Sequence, residues 1–282
     1  MTKVNYHMHT TGSDGGLSPR QVIEEAINAG IKHICLTDHY NYPQEVVDST
    51  CPKTSNTEEY HQDIIKLKKE FKGKIDFSFG MEFDLLDGHQ SYTKAEISKR
   101  DYDFVIGSVH VVPHEGKFLL IPYTPKDWAN FAKLFGGIKG AIELYYKQID
   151  KLIESGLFDC VGHFDVIKNN YSGDWKEIET RGWYKHIVLS LLDKIKKARM
   201  CIEINTSGWT WHIGEQNPSE WILREALKRG IPITIGSDFH RDKHRPNQKV
   251  DSELSEAIAL AKKVGYNSVL IFKKRKPIEV QI

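Results

Sequence analysis

Eight short apolar runs punctuate the chain, and the segments between them mostly carry apolar residues at helical spacing. The runs are the residues leading to His7, then Ile31 to Thr37, Ile75 to Phe79, Phe104 to Ser108, Asp159 to Gly162, Cys201 to Asn205, Pro232 to Gly236 and Ser268 to Phe272. Strands that alternate with helices pair in parallel through crossover connections, which confines the architecture to the α/β class. The first crossover is legible in detail. Ser18 is placed as N-cap, Pro19 as the first helical residue and Gln21 as the partner that completes a capping box. Val22, Ile23, Ala26 and Ile27 form the apolar face, and Gly30 supplies the stop. A second helix is expected from about Thr57, with Tyr60, Ile64, Leu67 and Phe71 on one side and Gly73 at its end. No repeat, low-complexity tract or Pro/Gly/Ser linker divides the chain, so one domain over residues 1–282 is expected, a common length for a single α/β barrel. Two irregular stretches, Asn41 to Asn56 and Lys168 to Thr180, have the size of loops that wall a site.

Bulk composition removes several function classes. With 39 basic and 38 acidic residues the net charge is +1, so no basic field points to nucleic acid. No apolar stretch approaches the length of a membrane span, and no charged leader with an apolar core opens the sequence. The four cysteines, Cys35, Cys51, Cys160 and Cys201, show no C-x-x-C spacing, and three lie inside strand-like runs where apolar packing is their expected role. A cytoplasmic protein with reduced thiols is expected.

The chemistry gathers where the apolar runs end. His7 and His9 share one face of an extended segment and can converge on one ion, although 13 histidines in the chain make an isolated pair weak evidence. Two polar residues on a half-solvated strand would read the same way. The remaining runs decide the matter: they end in Asp38-His39, Glu82, His110, His163-Phe164-Asp165, Glu203-Ile204-Asn205 and Asp238-Phe239-His240. In a parallel barrel the carboxyl ends of the strands meet on one face, and that face carries the site. Seven strand ends furnished with imidazole or carboxyl groups therefore point to a metal centre rather than to scattered buried polar groups.

The set HMHT, DH, GME, SVH, GHFD, EIN and SDFH resembles that of the polymerase and histidinol phosphatase (PHP) superfamily of metallophosphoesterases. Within it, VGHFDVIKNN and CIEINTSGW are most similar to the histidinol-phosphate phosphatases. The resemblance spans Val4 to about Phe272. It implies a distorted (β/α)7 TIM-like barrel of parallel strands and a site of three divalent ions. Matched position by position, His7, His9, Glu82 and Asp238 would hold one ion. Glu82 would bridge to a second, completed by His110 and His163, while Asp14, His39 and His240 would hold the third. Glu82, His110, Asp238 and His240 are assigned a catalytic as well as a ligating role. The eighth run, Ser268 to Phe272, exceeds a seven-stranded ring and is expected to cover the barrel from outside it or to be no strand at all.

Other residues admit two readings. Asp14 lies in a Gly-Ser-Asp-Gly turn, where an Asx-turn competes with ligation. Asp38, Glu203 and Asn205 suit acceptors that orient ligands, Asp38 by fixing a histidine tautomer. His33, His61 and His186 are expected to be structural or solvated, while His114 and His244 follow matched strands closely enough to remain site candidates.

Nitrogen and oxygen ligands without thiolate suit zinc, manganese or iron. No G-x-G-x-x-G opens a helix after a strand, so nothing marks a flavin or nicotinamide site. Clustered divalent ions favour phosphoester hydrolysis by a metal-bound hydroxide attacking phosphorus, with a phosphohistidine route as competitor. The resemblance implies a small-molecule phosphate monoester as substrate, L-histidinol phosphate, cleaved in histidine biosynthesis. No nucleic acid or membrane partner is expected. Arg181, Lys168 and Ser207 are the candidates for holding the phosphate. Asp84, Asp87 and Asp165 could pair with the substrate amine, and Trp209 and Trp211 could stack on its ring. The competing readings are another PHP phosphoesterase and a metal-binding accessory module without catalysis.

Overall fold

The computed structural model describes residues 2–43, 46, 58–243 and 245–282. The first half comprises β1 (Val4–Asn5), α1 (Pro19–Asn28), β2 (His33–Leu36), α2 (Glu58–Glu70), β3 (Asp76–Asp84), α3 (Gln90–Ser98) and β4 (Phe104–Ser108). A hairpin of β5 (Val111–His114) and β6 (Lys117–Leu120) then leads into α4 (Pro125–Leu134) and α5 (Ile138–Ser155). Next come β7 (Cys160–Val161), α6 (Trp175–Thr180), α7 (Gly182–Ala198), β8 (Cys201–Asn205), α8 (Glu220–Lys228) and β9 (Ile233–Gly236). The chain closes with α9 (Leu254–Val264), β10 (Ser268–Lys273) and β11 (Lys276–Gln281). No helix among the described residues is long and apolar enough to cross a membrane.

Seven strands form one parallel sheet in the order β1-β2-β3-β4-β7-β8-β9. The sheet curls until its edges meet, giving a nearly closed barrel. Tyr6 N–H donates to Ile235 carbonyl at 2.8 Å, Asp238 N–H to His7 carbonyl at 2.9 Å and His9 N–H to Phe239 carbonyl at 2.8 Å. The strands are buried almost throughout, as parallel strands sheathed by helices must be. Ser18 caps α1 in the expected capping box, and Val22, Ile23 and Ala26 pack inward. Along α5 the same spacing buries Tyr145, Tyr146, Ile149, Leu152 and Ile153. These faces share one contiguous apolar core with the strands.

The eighth apolar run is not a barrel strand. A two-residue turn joins β10 to β11, and β10 pairs antiparallel with β11 instead of entering the parallel ring. The hairpin lies across the amino ends of the barrel strands and forms its floor. Phe272 packs its ring 4.7 Å from that of Phe104, and Tyr6 O–H accepts from Phe272 N–H at 3.1 Å. Its polar residues grip carboxylates at the starts of three strands: Lys273 reaches Asp76, Lys274 N–H donates to Asp103 at 3.0 Å, and Arg275 Nε donates to Asp159 at 2.5 Å. The free thiols of Cys35, Cys160 and Cys201 are buried within the strands, as expected for apolar packing.

Candidate metal centre

At the opposite end of the barrel every parallel strand delivers a side chain to one spot. Beyond β1 the chain stays extended, so His7 and His9 face the same way, with their Nε2 atoms 3.1 Å apart. β3 projects Glu82 between them and the histidines that follow β2, β4 and β7. His39 Nδ1 stands 3.0 Å from Glu82 Oε2, while His163 Nε2 stands 3.2 Å from Oε1 and 3.1 Å from His110 Nε2. After β9 the backbone turns left-handed at Asp238 (φ 50°), a conformation aspartate tolerates. The turn carries Asp238 Oδ1 to 3.3 Å from His9 Nε2. His240 Nε2 lies 3.3 Å from Oδ1 of Asp14, whose turn follows β1.

All nine residues matched in the sequence thus adjoin one another. The potential ligand atoms fall into three overlapping groups: His9, Asp14, His39 and His240; His7, His9 and Glu82; and His39, Glu82 and His110. Within each group the atoms lie within 4.8 Å of one another. Gly236 allows the crowding, because a Cβ there would run into Glu203 and His7.

The donor set fits divalent cations. Glu82 Oε2 is buried without a hydrogen bond, although nitrogens of His39, His7 and His9 surround it at 3.0, 3.3 and 3.4 Å. Ligands held about 2.1 Å from a tetrahedral zinc would stand about 3.4 Å apart, so this spacing leaves a place for an ion to replace the missing protons. The electrostatics agree. Burial opposes charge on Glu82, but His7, His39 and His110 outweigh it and hold the carboxyl well below its usual range. Burial likewise disfavours charge on Asp238, yet His7 and His9 keep it ionised. Burial lowers the His9 pKa, and the neighbouring His240 and His39 lower it further. His9 therefore remains a neutral imidazole suited to ligation.

A surrounding layer aims these ligands. Glu203 sits 2.8 Å from His7 Nδ1 with one oxygen and accepts from His163 N–H at 2.9 Å with the other. Asp84 pairs with His110 Nδ1 at 3.0 Å, and the Asp238 carbonyl faces His240 Nδ1 at 2.8 Å. In each case Nδ1 is engaged and Nε2 is left for the centre. Asp38 departs from expectation. Its oxygens accept from Thr10 N–H at 2.6 Å and Ser13 O–H at 2.7 Å and also receive Tyr60 O–H, so it fastens the loop carrying Asp14 rather than a histidine.

The substrate candidates fare differently. A cavity of about 180 Å³ opens above the cluster, and Ser207 and Trp211 line it together with Tyr123, Asn169, Asn170 and Arg245. Ser207 O–H lies 2.7 Å from Asn205 Oδ1 and 3.1 Å from Asp238 Oδ2. Lys168 does not reach the cavity. It is fully buried, with Nζ 2.9 Å from Asp165 and donating to Gln216 carbonyl and Ser219 O–H at 2.8 Å each, so its charge is consumed internally. Arg181 stands exposed at the start of α7, paired with Glu177 and outside the cavity lining. Asp84, Asp87 and Asp165 are likewise committed, to His110, to Lys151 at 2.5 Å and to Lys168. Trp209 packs against the core, and His114 of the β5–β6 hairpin meets Phe135 at the end of α4. His244 lies outside the described residues. His61 is structural: burial and Arg100 lower its pKa to about 4.

Sequence reasoning missed Tyr123, Asn169, Asn170 and Arg245. Arg245 follows the matched Asp238 and His240 by a few residues, and Asn169 and Asn170 lie in the irregular loop expected to wall the site. Position was the available signal in both cases.

The family model described as "PHP domain" matches residues 5–207. A Deinococcus radiodurans protein named "Probable histidinol-phosphatase" is 29% identical over 275 residues, covering 96% of each chain. The histidinol-phosphatase of Bacillus subtilis is 28% identical over 260 residues, covering 86% of this chain and 94% of its own. The crystal structure of histidinol phosphate phosphatase from Lactococcus lactis, complexed with zinc, L-histidinol and phosphate, superposes with a TM-score of 0.74 at 24% identity. It covers 98% of this chain and 99% of that one.

Proposed function

The chain belongs to the PHP domain family, and from that premise we propose that it is a metal-dependent phosphatase that hydrolyses L-histidinol phosphate to L-histidinol and inorganic phosphate. One observation carries the reading. A carboxylate oxygen of Glu82, buried and without a hydrogen-bond partner, stands among imidazoles under a cavity open to a small molecule. The names carried by the similar chains supply the substrate. The proposal treats residues 1–282 as one catalytic unit, supported by the single core beneath the strands, and it places the chain in the cytoplasm, supported by the free buried thiols of Cys35, Cys160 and Cys201.

Three divalent ions are proposed. His7, His9, Glu82 and Asp238 would hold the first, Glu82, His110 and His163 the second, and Asp14, His39 and His240 the third; the donor set suits zinc, manganese or iron. When bound, such ions supply a water of lowered pKa and neutralise phosphoryl oxygens during in-line displacement. The chain's own residues supply placement. Glu203, Asp84 and the Asp238 carbonyl hold His7, His110 and His240 with Nε2 toward the centre. Ser108 O–H donates to Glu82 Oε1 at 2.5 Å and fixes that carboxylate from below. The buried strand ends keep bulk water off the ligands and so strengthen their hold on charge.

The test is phosphate release from L-histidinol phosphate and from nucleoside monophosphates, by protein of measured metal content. A kcat/KM for histidinol phosphate at least about a hundredfold above the nucleotides is expected, because a site built for polar groups rejects substrates that leave those groups unpaired. Comparable values would move the assignment to a general phosphoesterase, and metal-loaded protein without turnover on either would return it to an accessory module. Glu203→Gln should weaken metal binding about 10- to 100-fold in competition with a chelator, as loss of a partner that orients a ligand does. Unchanged affinity would remove Glu203 from that role.

A further inference from the structure

We infer that Arg245 and Asn169 form the phosphate-holding pair of this site, in place of the Arg181 and Lys168 pointed to by the sequence. The inference rests on the phosphatase reading and names how the anion is seized. Among the described residues, Arg245 is the one Lys or Arg side chain in the cavity lining, where Asp14, Asp238 and Asp242 also stand. An incoming phosphate monoester would meet those carboxylates with metal charge alone to offset them unless a guanidinium stood beside them.

Arg245 is built for that task. Its guanidinium lies over the Trp211 ring, 5.9 Å from the centroid, which fixes its plane at low entropic cost. Nη2 makes one long contact, 3.3 Å to Asp242 Oδ2. Nε is buried and has no hydrogen-bond partner. A buried donor left unmade is costly, so its persistence in a cavity wall points to a ligand that completes it.

Asn169 repeats the pattern from another element. The residue is only 2% exposed and its backbone is tied, with its carbonyl accepting from Ile213 N–H at 2.9 Å. Oδ1 accepts from Asn217 Nδ2 at 3.0 Å, which orients the amide, and the remaining Nδ2 is buried without a partner. Two elements distant in sequence thus bring side chains that carry an unmatched N–H donor into the wall of one cavity. A ligand bearing only acceptors satisfies both, and the phosphoryl group is the part of a phosphate monoester that bears them.

The probe is inorganic phosphate, titrated calorimetrically into metal-loaded protein alongside turnover of histidinol phosphate. Arg245→Ala should weaken phosphate binding about 10- to 100-fold with metal content unchanged, the loss expected for a charge-assisted hydrogen bond. Arg245→Lys should recover only part, since an ammonium cannot reproduce the planar fork. Asn169→Asp keeps the acceptor for Asn217 and replaces the unpartnered donor with a carboxylate oxygen, so it should weaken phosphate binding at least as strongly. Wild-type phosphate affinity in metal-loaded Arg245→Ala and Asn169→Asp would overturn the inference. Should the unmodified protein bind phosphate yet hydrolyse no monoester, the enzymatic reading would fall while the variant titrations still judged the pair.

Discussion

Glu82→Gln is expected to lower phosphate release about a thousandfold or more and to strip metal from the protein. The carboxylate is fully buried and divides its two oxygens between separate sets of imidazoles, His7, His9 and His39 on one side and His110 and His163 on the other. An amide removes the charge that holds both sets and aims an N–H₂ at lone pairs. Metal ions contribute several kcal/mol to the displacement, and each 1.36 kcal/mol is worth about a factor of ten in rate. Elemental analysis beside kcat/KM checks the result; a variant with full metal content and normal turnover would show that Glu82 bridges nothing. Glu82→Asp keeps the charge one methylene short, and its activity should fall between the two.

Asp165→Ala is expected to cost about 3–5 kcal/mol of stability, the usual effect of orphaning a buried ion. Lys168 and Asp165 are both fully buried, and Asp165 also accepts from Asn217 Nδ2 at 2.9 Å and Ser219 N–H at 3.0 Å. The pair therefore ties the loop after β7 to the segment entering α8. At roughly 2–4 °C per kcal/mol for chains approaching this size, melting should fall by about 10 °C. The paired change Asp165→Leu with Lys168→Met should restore part of that loss, because two apolar residues leave no stranded charge. Equal melting of Asp165→Ala and the unmodified protein by calorimetry would contradict the burial argument.

The sequence carries the barrel plainly because its signal is local. A strand buried on both faces must be apolar, and a crossover helix must show one apolar stripe, so β2, β3, β4, β8, β9 and α1 can be read directly. The convergence of His7, Glu82, His110, His163, Asp238 and His240 is legible for a topological reason: parallel strands share their carboxyl end. What failed is what depends on which side chains the fold pairs. Lys168 and Arg181 look alike in a loop sequence, and both look free. Their partners, Asp165 three residues before Lys168 and Glu177 four before Arg181, are near in sequence, but only the fold shows the helical turns that bring each pair together. Asp38 sits beside a ligand in sequence, yet its partners Thr10, Ser13 and Tyr60 come from other elements. Period-2 burial cannot say whether an apolar strand joins a ring or crosses its end, which is why Ser268–Phe272 remained ambiguous.

The packed core beneath the ligands, floored by the β10–β11 hairpin, makes the barrel a blind well. Traffic is then last in, first out: a monoester whose phosphoryl end sinks to the ligand cluster must surrender its alcohol half first, and the anion follows through the same mouth. Free phosphate lingering at the bottom would bar the next arrival.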